Sequence, residues 1–152
     1  MKNIAVSIAD YSLQSCERLR HSDIDQNGLI SNAAFASLLE TGRQELLQEL
    51  EAIACENNCA FTLGSVNVRI YGELTWPGYV DIGTSVVRVG RNSITLDQGV
   101  FQGNQCVATA RTVVFKITKD SRMPLRLSDS SRRKFSELIP PLVSCSNSRQ
   151  YC

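Results

Sequence analysis

The stretch His21-Ser-Asp-Ile-Asp-Gln-Asn-Gly-Leu-Ile-Ser-Asn32 places two carboxylates, Asp23 and Asp25, on alternate positions. Gly28 follows, and then two short polar residues stand ahead of an apolar-periodic run. Asp, Asn and Gly in this order favour a tight turn, because short polar side chains bond their own backbone and glycine accepts positive φ. The same letters spell the first half of a calcium loop. A complete loop needs a bidentate glutamate at its twelfth position. Counted from Asp23, that position is Ala34, which has no ligand atom. The residues before Asp23, "SCERLRH", alternate like a strand rather than an incoming helix. The turn therefore does not read as a calcium loop: its carboxylates either serve another chemistry or simply accept turn hydrogen bonds, and no metal or other cofactor is expected.

Working outward, Phe35, Leu38, Leu39, Gly42, Leu46, Leu50 and Ile53 recur at helical spacing, and Leu47 widens the stripe. This predicts one long helix from Ser31 to about Ala54. Ser31 or Asn32 is its natural N-cap. A glycine in mid-helix costs stability relative to alanine, so Gly42 predicts a close approach to a neighbouring sheet. Four runs rich in Val, Ile, Thr and Phe follow, "AFTLGSVNVRIYGEL", "YVDIGTSVVRVGR", "SITLDQGVFQG" and "QCVATARTVVFKIT". Turn signals at 76–78, 90–92 and 102–104 divide them, so antiparallel neighbours are expected across at least the last two. A shorter strand around Ser15–Arg20 precedes the helix. "SDSSRRKFSELI" predicts a short terminal helix stopped by Pro140-Pro141, and the tail from Ser144 reads as frayed. Residues 1–152 are expected to form one α+β domain, with its core at about 15–120 and the terminal helix and tail at 121–152.

The bulk numbers set further bounds. With 152 residues, 43% hydrophobic and 20% charged, the chain is long enough to bury a core. Its formal charge of +1 gives no reason to expect nucleic acid or an acidic surface as partner. No apolar run reaches the roughly 18 residues needed to span a bilayer. "MKNIAVSIADYSL" lacks the apolar core of a secretory signal, so a cytoplasmic protein is expected. The six cysteines accordingly read as reduced thiols. Cys55 and Cys59 are spaced CxxxC, but with His21 as the single histidine they lack partners for a zinc site.

The segment "RHSDIDQNGLISNAAFASLLETGR" resembles the Asp-x-Asp-x-x-Gly-x-x-x-Asn-Ala-x-(aromatic)…Glu-x-x-Arg signature of the 4-hydroxybenzoyl-CoA thioesterase-like branch of the hotdog-fold acyl thioesterases. "VVRVGRNSITLDQGVF" followed by "QCVATARTVVFKI" is similar to the same family, and the resemblance covers about residues 15 to 120. It implies a curved antiparallel sheet wrapped around the long helix. It also implies a homodimer or homotetramer in which sheets join edge to edge and acyl-thioester sites lie at the dimer interface. The implied substrate is an acyl-CoA or an acyl carrier protein.

By position, Asp25 matches the family's catalytic acid and Asp23 the aspartate that supports the turn. Asn32 matches a position where members carry Asn or His, and its backbone N–H is the implied oxyanion donor. Arg88, Arg91 and Ser93 match a region that meets the phosphates or pantetheine arm, while Phe35, Leu38 and Leu39 match an acyl pocket or plain core. Glu40 and Arg43 match a helix pair, and their spacing of three also makes an ordinary intrahelical ion pair. The chain departs from the pattern at Leu29, where many members have His, and at His21, where arginine is frequent. Histidine-assisted chemistry is therefore disfavoured. The rival readings are a non-catalytic acyl-binding protein, which keeps the pocket without needing Asp25, and a hotdog dehydratase or hydratase, which needs an active-site histidine.

Overall fold

The computed structural model describes residues 7–54 and 58–140. The strand expected before the helix is β1, Leu13–Arg18. The long helix α1 spans Asn32–Ala54, and it is followed by β2, Cys59–Ile70, β3, Tyr79–Val89, β4, Ser93–Gln102, and β5, Gln105–Thr118. The short terminal helix α2 is Asp129–Glu137. The strands form one sheet in the order β1-β3-β4-β5-β2, with every pairing antiparallel. This is the hotdog arrangement, a curved sheet wrapped around a long helix. Both β1 and β2 are edges.

The helix is seated by two apolar clusters. Phe35, Leu38 and Leu39 pack with Leu19, Val80, Ile82, Val100 and Ala108 at one end of the sheet. Leu46 and Leu50 pack with Val86, Ile94, Leu96 and Val114 at the other, where Leu127 and Phe135 close the core. Each such side chain, once enclosed, contributes on the order of 1.5–3 kcal/mol. Between the clusters the helix comes close to the sheet at Gly42, where an added Cβ would lie 2.4 Å from Ile82 Cγ2. The contact has a polar component as well. Thr84 Oγ1 donates to the Gly42 carbonyl at 3.1 Å, and Gln98 Nε2 donates to the Leu39 carbonyl at 2.9 Å and to Thr84 Oγ1 at 3.1 Å. Thr84 and Gln98 are both fully buried, so these bonds fix the helix against the sheet at one register.

The outer face of the sheet carries a slot. Gly83 and Gly99 are cross-strand partners, and the Tyr11 ring lies in the space their missing side chains leave, with Cβ positions 2.4 and 2.6 Å from its atoms. A short 3-10 turn at Ile8–Asp10, capped by Ser7, delivers the ring. Tyr11 then meets Phe101 edge to face at 6.0 Å.

Two expectations need correction. Glu40 and Arg43 form no ion pair; the two ion pairs among the described residues are Arg20–Asp23 and Arg111–Asp97. Arg43 instead lies in the buried stripe, where desolvation lowers its pKa and the charge of Glu40 opposes that shift. The cysteines are not all reduced: Cys59 and Cys106, at opposite ends of β5, are each in a disulfide of their own, and only Cys16 is free among the described residues. Thiol pairing depends on which sulfurs the fold brings together, and spacing along the chain does not report that. Cys55 and the tail from Ser144 lie outside the described residues.

Candidate active site

The turn before α1 is built by its two aspartates in different ways. Asp23 is 7% exposed; its Oδ2 accepts the Arg20 N–H at 2.7 Å and its Oδ1 the Arg20 guanidinium at 3.3 Å. Its carbonyl accepts the Ser31 N–H at 2.9 Å, which ties the start of the turn to the start of the helix. Asp23 is thus the support that the sequence assigns to it. Asp25 stands on the exposed part of the turn. Its Oδ1 accepts the N–H groups of Asn27 at 2.8 Å and Leu29 at 3.0 Å, and Gly28 turns the chain with φ of 78°. A bridge between Ile24 and Ile30 closes the loop. The Asp25 carboxylate is therefore oriented by one oxygen, while no hydrogen bond holds Oδ2.

Ser31 is the N-cap: its Oγ accepts the Ala34 N–H and its carbonyl accepts the Phe35 N–H, both at 3.1 Å. The next two N–H groups, on Asn32 and Ala33, make no hydrogen bond, and both residues are exposed. These are two of the orphan donors that every helix start leaves, and they sit at the positive end of a 23-residue dipole. A carboxylate with one free oxygen thus shares this turn with two unused N–H donors.

His21 falls in a 3-10 turn, His21–Asp23, and packs edge to face on Trp76 at 5.0 Å. The segment carrying Trp76 is held by Gln102, whose amide bonds the Thr75 N–H at 2.8 Å and the Thr75 carbonyl at 2.9 Å. Leu19 N–H to the Gly78 carbonyl, at 2.9 Å, joins that segment to the end of β1.

The other expected site residues divide. Phe35 and Leu39 follow Asn32 along α1, but both side chains are buried in the core, Leu39 at 1% exposure. Arg88 lies opposite Thr95, and Ser93 opposite Phe115, while the Arg91 carbonyl accepts the Leu127 N–H at 2.7 Å. Their neighbours Val89 and Ile94 pack with the C-terminal half of α1. A helix of 23 residues at ~1.5 Å each is about 34 Å long, so within one copy Arg88, Arg91 and Ser93 lie at the far end from Asp25. Asp25 lies on the turn that leads into Asn32 at the start of α1, and the arginines are remote from both.

Sequence reasoning missed two features. One is the Ala33 N–H, which has no side-chain signature. The other is the row Leu63, Val66, Val68 and Ile70 on β2, which are cross-strand partners of Val114, Thr112, Ala110 and Ala108 and so share the helix side of the sheet. They are nevertheless 38–51% exposed. The alternation in "SVNVRI" marks such a face, but not that it lies open. Among the described residues no group of three or more His, Cys, Asp or Glu could hold a metal ion, and no helix is long and apolar enough to cross a membrane.

A family model described as the thioesterase-like superfamily matches residues 19–137. No curated protein matches the sequence. Similar solved structures include a predicted thioesterase from Bacillus stearothermophilus, with 21% identity, TM-score 0.75, and 84% of this chain and 96% of that one covered. A thioesterase from Thermus thermophilus, complexed with coenzyme A and zinc, is 20% identical at TM-score 0.70, over 85% of this chain and 95% of that one. A DHNA-CoA thioesterase from Staphylococcus aureus is 20% identical at TM-score 0.68, over 82% of this chain and 84% of that one.

Proposed function

The chain belongs to the thioesterase-like superfamily, and from that premise we propose that it hydrolyses an acyl thioester, on coenzyme A or a carrier protein, to a carboxylic acid and a free thiol. The observation that carries this reading is the half-occupied carboxylate of Asp25 on the turn that leads into two unused N–H groups at the start of α1. In the proposed reaction the thioester carbonyl points at the N–H groups of Asn32 and Ala33. Negative charge that develops on its oxygen meets fixed donors and the positive helix end. Asp25 Oδ2 either attacks the carbonyl carbon or takes a proton from a water that attacks it. Collapse of the tetrahedral centre expels the thiolate; the water route yields the acid directly, and the nucleophilic route yields a mixed anhydride on Asp25 that a water then hydrolyses to the acid and the free carboxylate. An ordinary thiol has a pKa of roughly 8.5, so this leaving group needs no acid to assist it. A chain with one histidine can therefore run this chemistry.

The reading includes a homodimer, with the site at its interface. An open row of apolar side chains on an edge strand is a surface that a soluble protein normally covers. Two copies paired along β2 would enclose Leu63, Val66, Val68 and Ile70 beside the helices, where an acyl chain could lie with Phe35 and Leu39 behind it. The same pairing would carry Arg88, Arg91 and Ser93 of one copy toward the turn of the other, within reach of the thiol carrier.

The test is Asp25→Asn. Asparagine keeps Oδ1 as the acceptor for Asn27 and Leu29 and replaces only the free oxygen. We expect kcat to fall at least ~100-fold with KM little changed, in a screen for free thiol released from acyl-CoA and acyl-carrier thioesters. A folded, dimeric D25N protein that turns over its best thioester at the wild-type rate sinks the assignment.

A further inference from the structure

The chain's charge of +1 is a sum over segments of unlike charge. Residues 116–134 hold seven Lys and Arg against two acidic residues, a net +5, so the rest of the chain carries nine cations against thirteen acids, a net −4. The structure gathers the positive part. Lys116 N–H bonds the Asn92 carbonyl at 3.0 Å, Leu125 N–H bonds the Lys116 carbonyl at 2.9 Å, and Leu127 N–H bonds the Arg91 carbonyl at 2.7 Å. The end of β5, the β3–β4 turn and the segment leading into α2 therefore form one end of the molecule. Lys119, Arg122, Arg126, Arg133 and Lys134 are exposed on it, and neither of the two ion pairs among the described residues involves them. Unpaired like charges held side by side are a standing repulsion, which an anionic partner relieves.

We propose that this end is a docking surface for an acidic protein that carries the acyl thioester, and that the basic end of one copy serves the catalytic turn of its dimer partner. Two features favour a protein over a nucleotide. The cations are spread over β5, the following segment and α2, whereas a nucleotide phosphate is held by groups converging on a concave site, often bidentate. The cleft on α2, lined by Asp129, Arg132, Arg133, Ser136 and Glu137, has two acids in its wall, which disfavours a phosphate there. A broad, solvated set of one sign matches a broad surface of the other sign, and it steers encounter more than it binds tightly.

The placement relative to the site follows from β2. Its Cys59 end lies at the basic end, where Lys119 N–H bonds the Asn58 carbonyl at 3.0 Å and the Arg122 guanidinium reaches Thr62 Oγ1 at 3.4 Å. Its Ile70 end lies opposite Ala108, in the cluster of Phe35. Two β2 edges paired about a two-fold axis normal to the sheet run antiparallel, so each Cys59 end meets the other copy's Ile70 end. A carrier docked on one copy then presents its thioester arm to Asp25 of the other. The proposal rests on the thioesterase and dimer readings above.

The experiment compares one acyl group carried by an acidic bacterial acyl carrier protein and by coenzyme A. The enzymes are the wild-type dimer and the triple variant Arg126→Glu, Arg133→Glu, Lys134→Glu, with Arg126→Gln, Arg133→Gln, Lys134→Gln as the milder set should charge reversal disturb folding. We expect kcat/KM for the carrier substrate to fall at least ~10-fold through KM, to fall also with added salt, and kcat/KM for the coenzyme A thioester to be unchanged. Wild-type turnover of the coenzyme A thioester alone, equal loss on both substrates, or no loss on the carrier overturns the proposal. Should neither thioester be cleaved, the hydrolase reading fails, and anisotropy of a labelled carrier decides docking. Salt-sensitive binding weakened by the triple variant supports docking, and absence of binding overturns it.

Discussion

At the scale of single residues, Asp23 and Asp25 show how two identical side chains two positions apart take different tasks. Asp23 spends both oxygens on Arg20 in a buried place, and Asp25 spends one on its own turn in an open place. Asp23→Asn weakens charge-assisted bonds to Arg20, so we expect a loss of about 1–2 kcal/mol in urea unfolding, with activity per folded molecule nearly intact. Asn32→Ala makes the opposite point: alanine keeps the backbone N–H, so kcat should change little. A large kcat loss in N32A with normal stability would move the role from backbone to side chain. The support at Asp23 and the tight turn around Asp25 were both legible in the letters, because turn chemistry is local. The second donor, Ala33, was not, since an unused N–H belongs to the backbone and leaves no mark in residue type.

At the scale of elements, the seat of α1 sets where its first N–H groups stand. Gly42 predicted a close approach and Ile82 supplies it. Gly42→Ala puts a methyl into a β-branched side chain on an interior strand, and we expect about 1–3 kcal/mol of destabilisation by urea titration, with a lowered kcat as the helix lifts. Unchanged stability would mean that the two layers separate easily. Helix and strands were readable because their apolar periods are regular. Gln98 was not: a glutamine among alternating residues reads as facing solvent, yet it is fully buried and bonds the Leu39 carbonyl. Its Oε1 is buried without a partner. Arg43 misled for the same reason, since pairing and burial are properties of two elements in contact rather than of either alone. The two disulfide-bonded cysteines belong with these cases.

At the scale of the whole molecule, the sequence foresaw neither the open apolar row on β2 nor the concentration of positive charge at one end. Periodicity reports which residues share a face, and net charge reports a sum; neither says what stands opposite. The row yields the assembly prediction. Val68→Glu sets a charge in the middle of it, and we expect light scattering to show a dimer or dimer of dimers for the wild type and a monomer for the variant, with most activity lost. A V68E monomer of full activity would remove the interface from the site. The Tyr11 slot has a consequence in a different observable, the behaviour in alkali. Burial first, and then the charges of Asp97 and Asp10, push its phenol pKa well above the ordinary 10.0. Above pH ~10 an unfolded chain gives up this proton and the folded one keeps it, so ΔG of unfolding falls as pH rises, while below that pH the contribution is fully present. Tyr11→Phe fills the slot without an ionisable group. Its melting temperature should therefore decline less steeply through the alkaline range than that of the wild type, whose sensitivity to base is increased by one ring lying over two glycines.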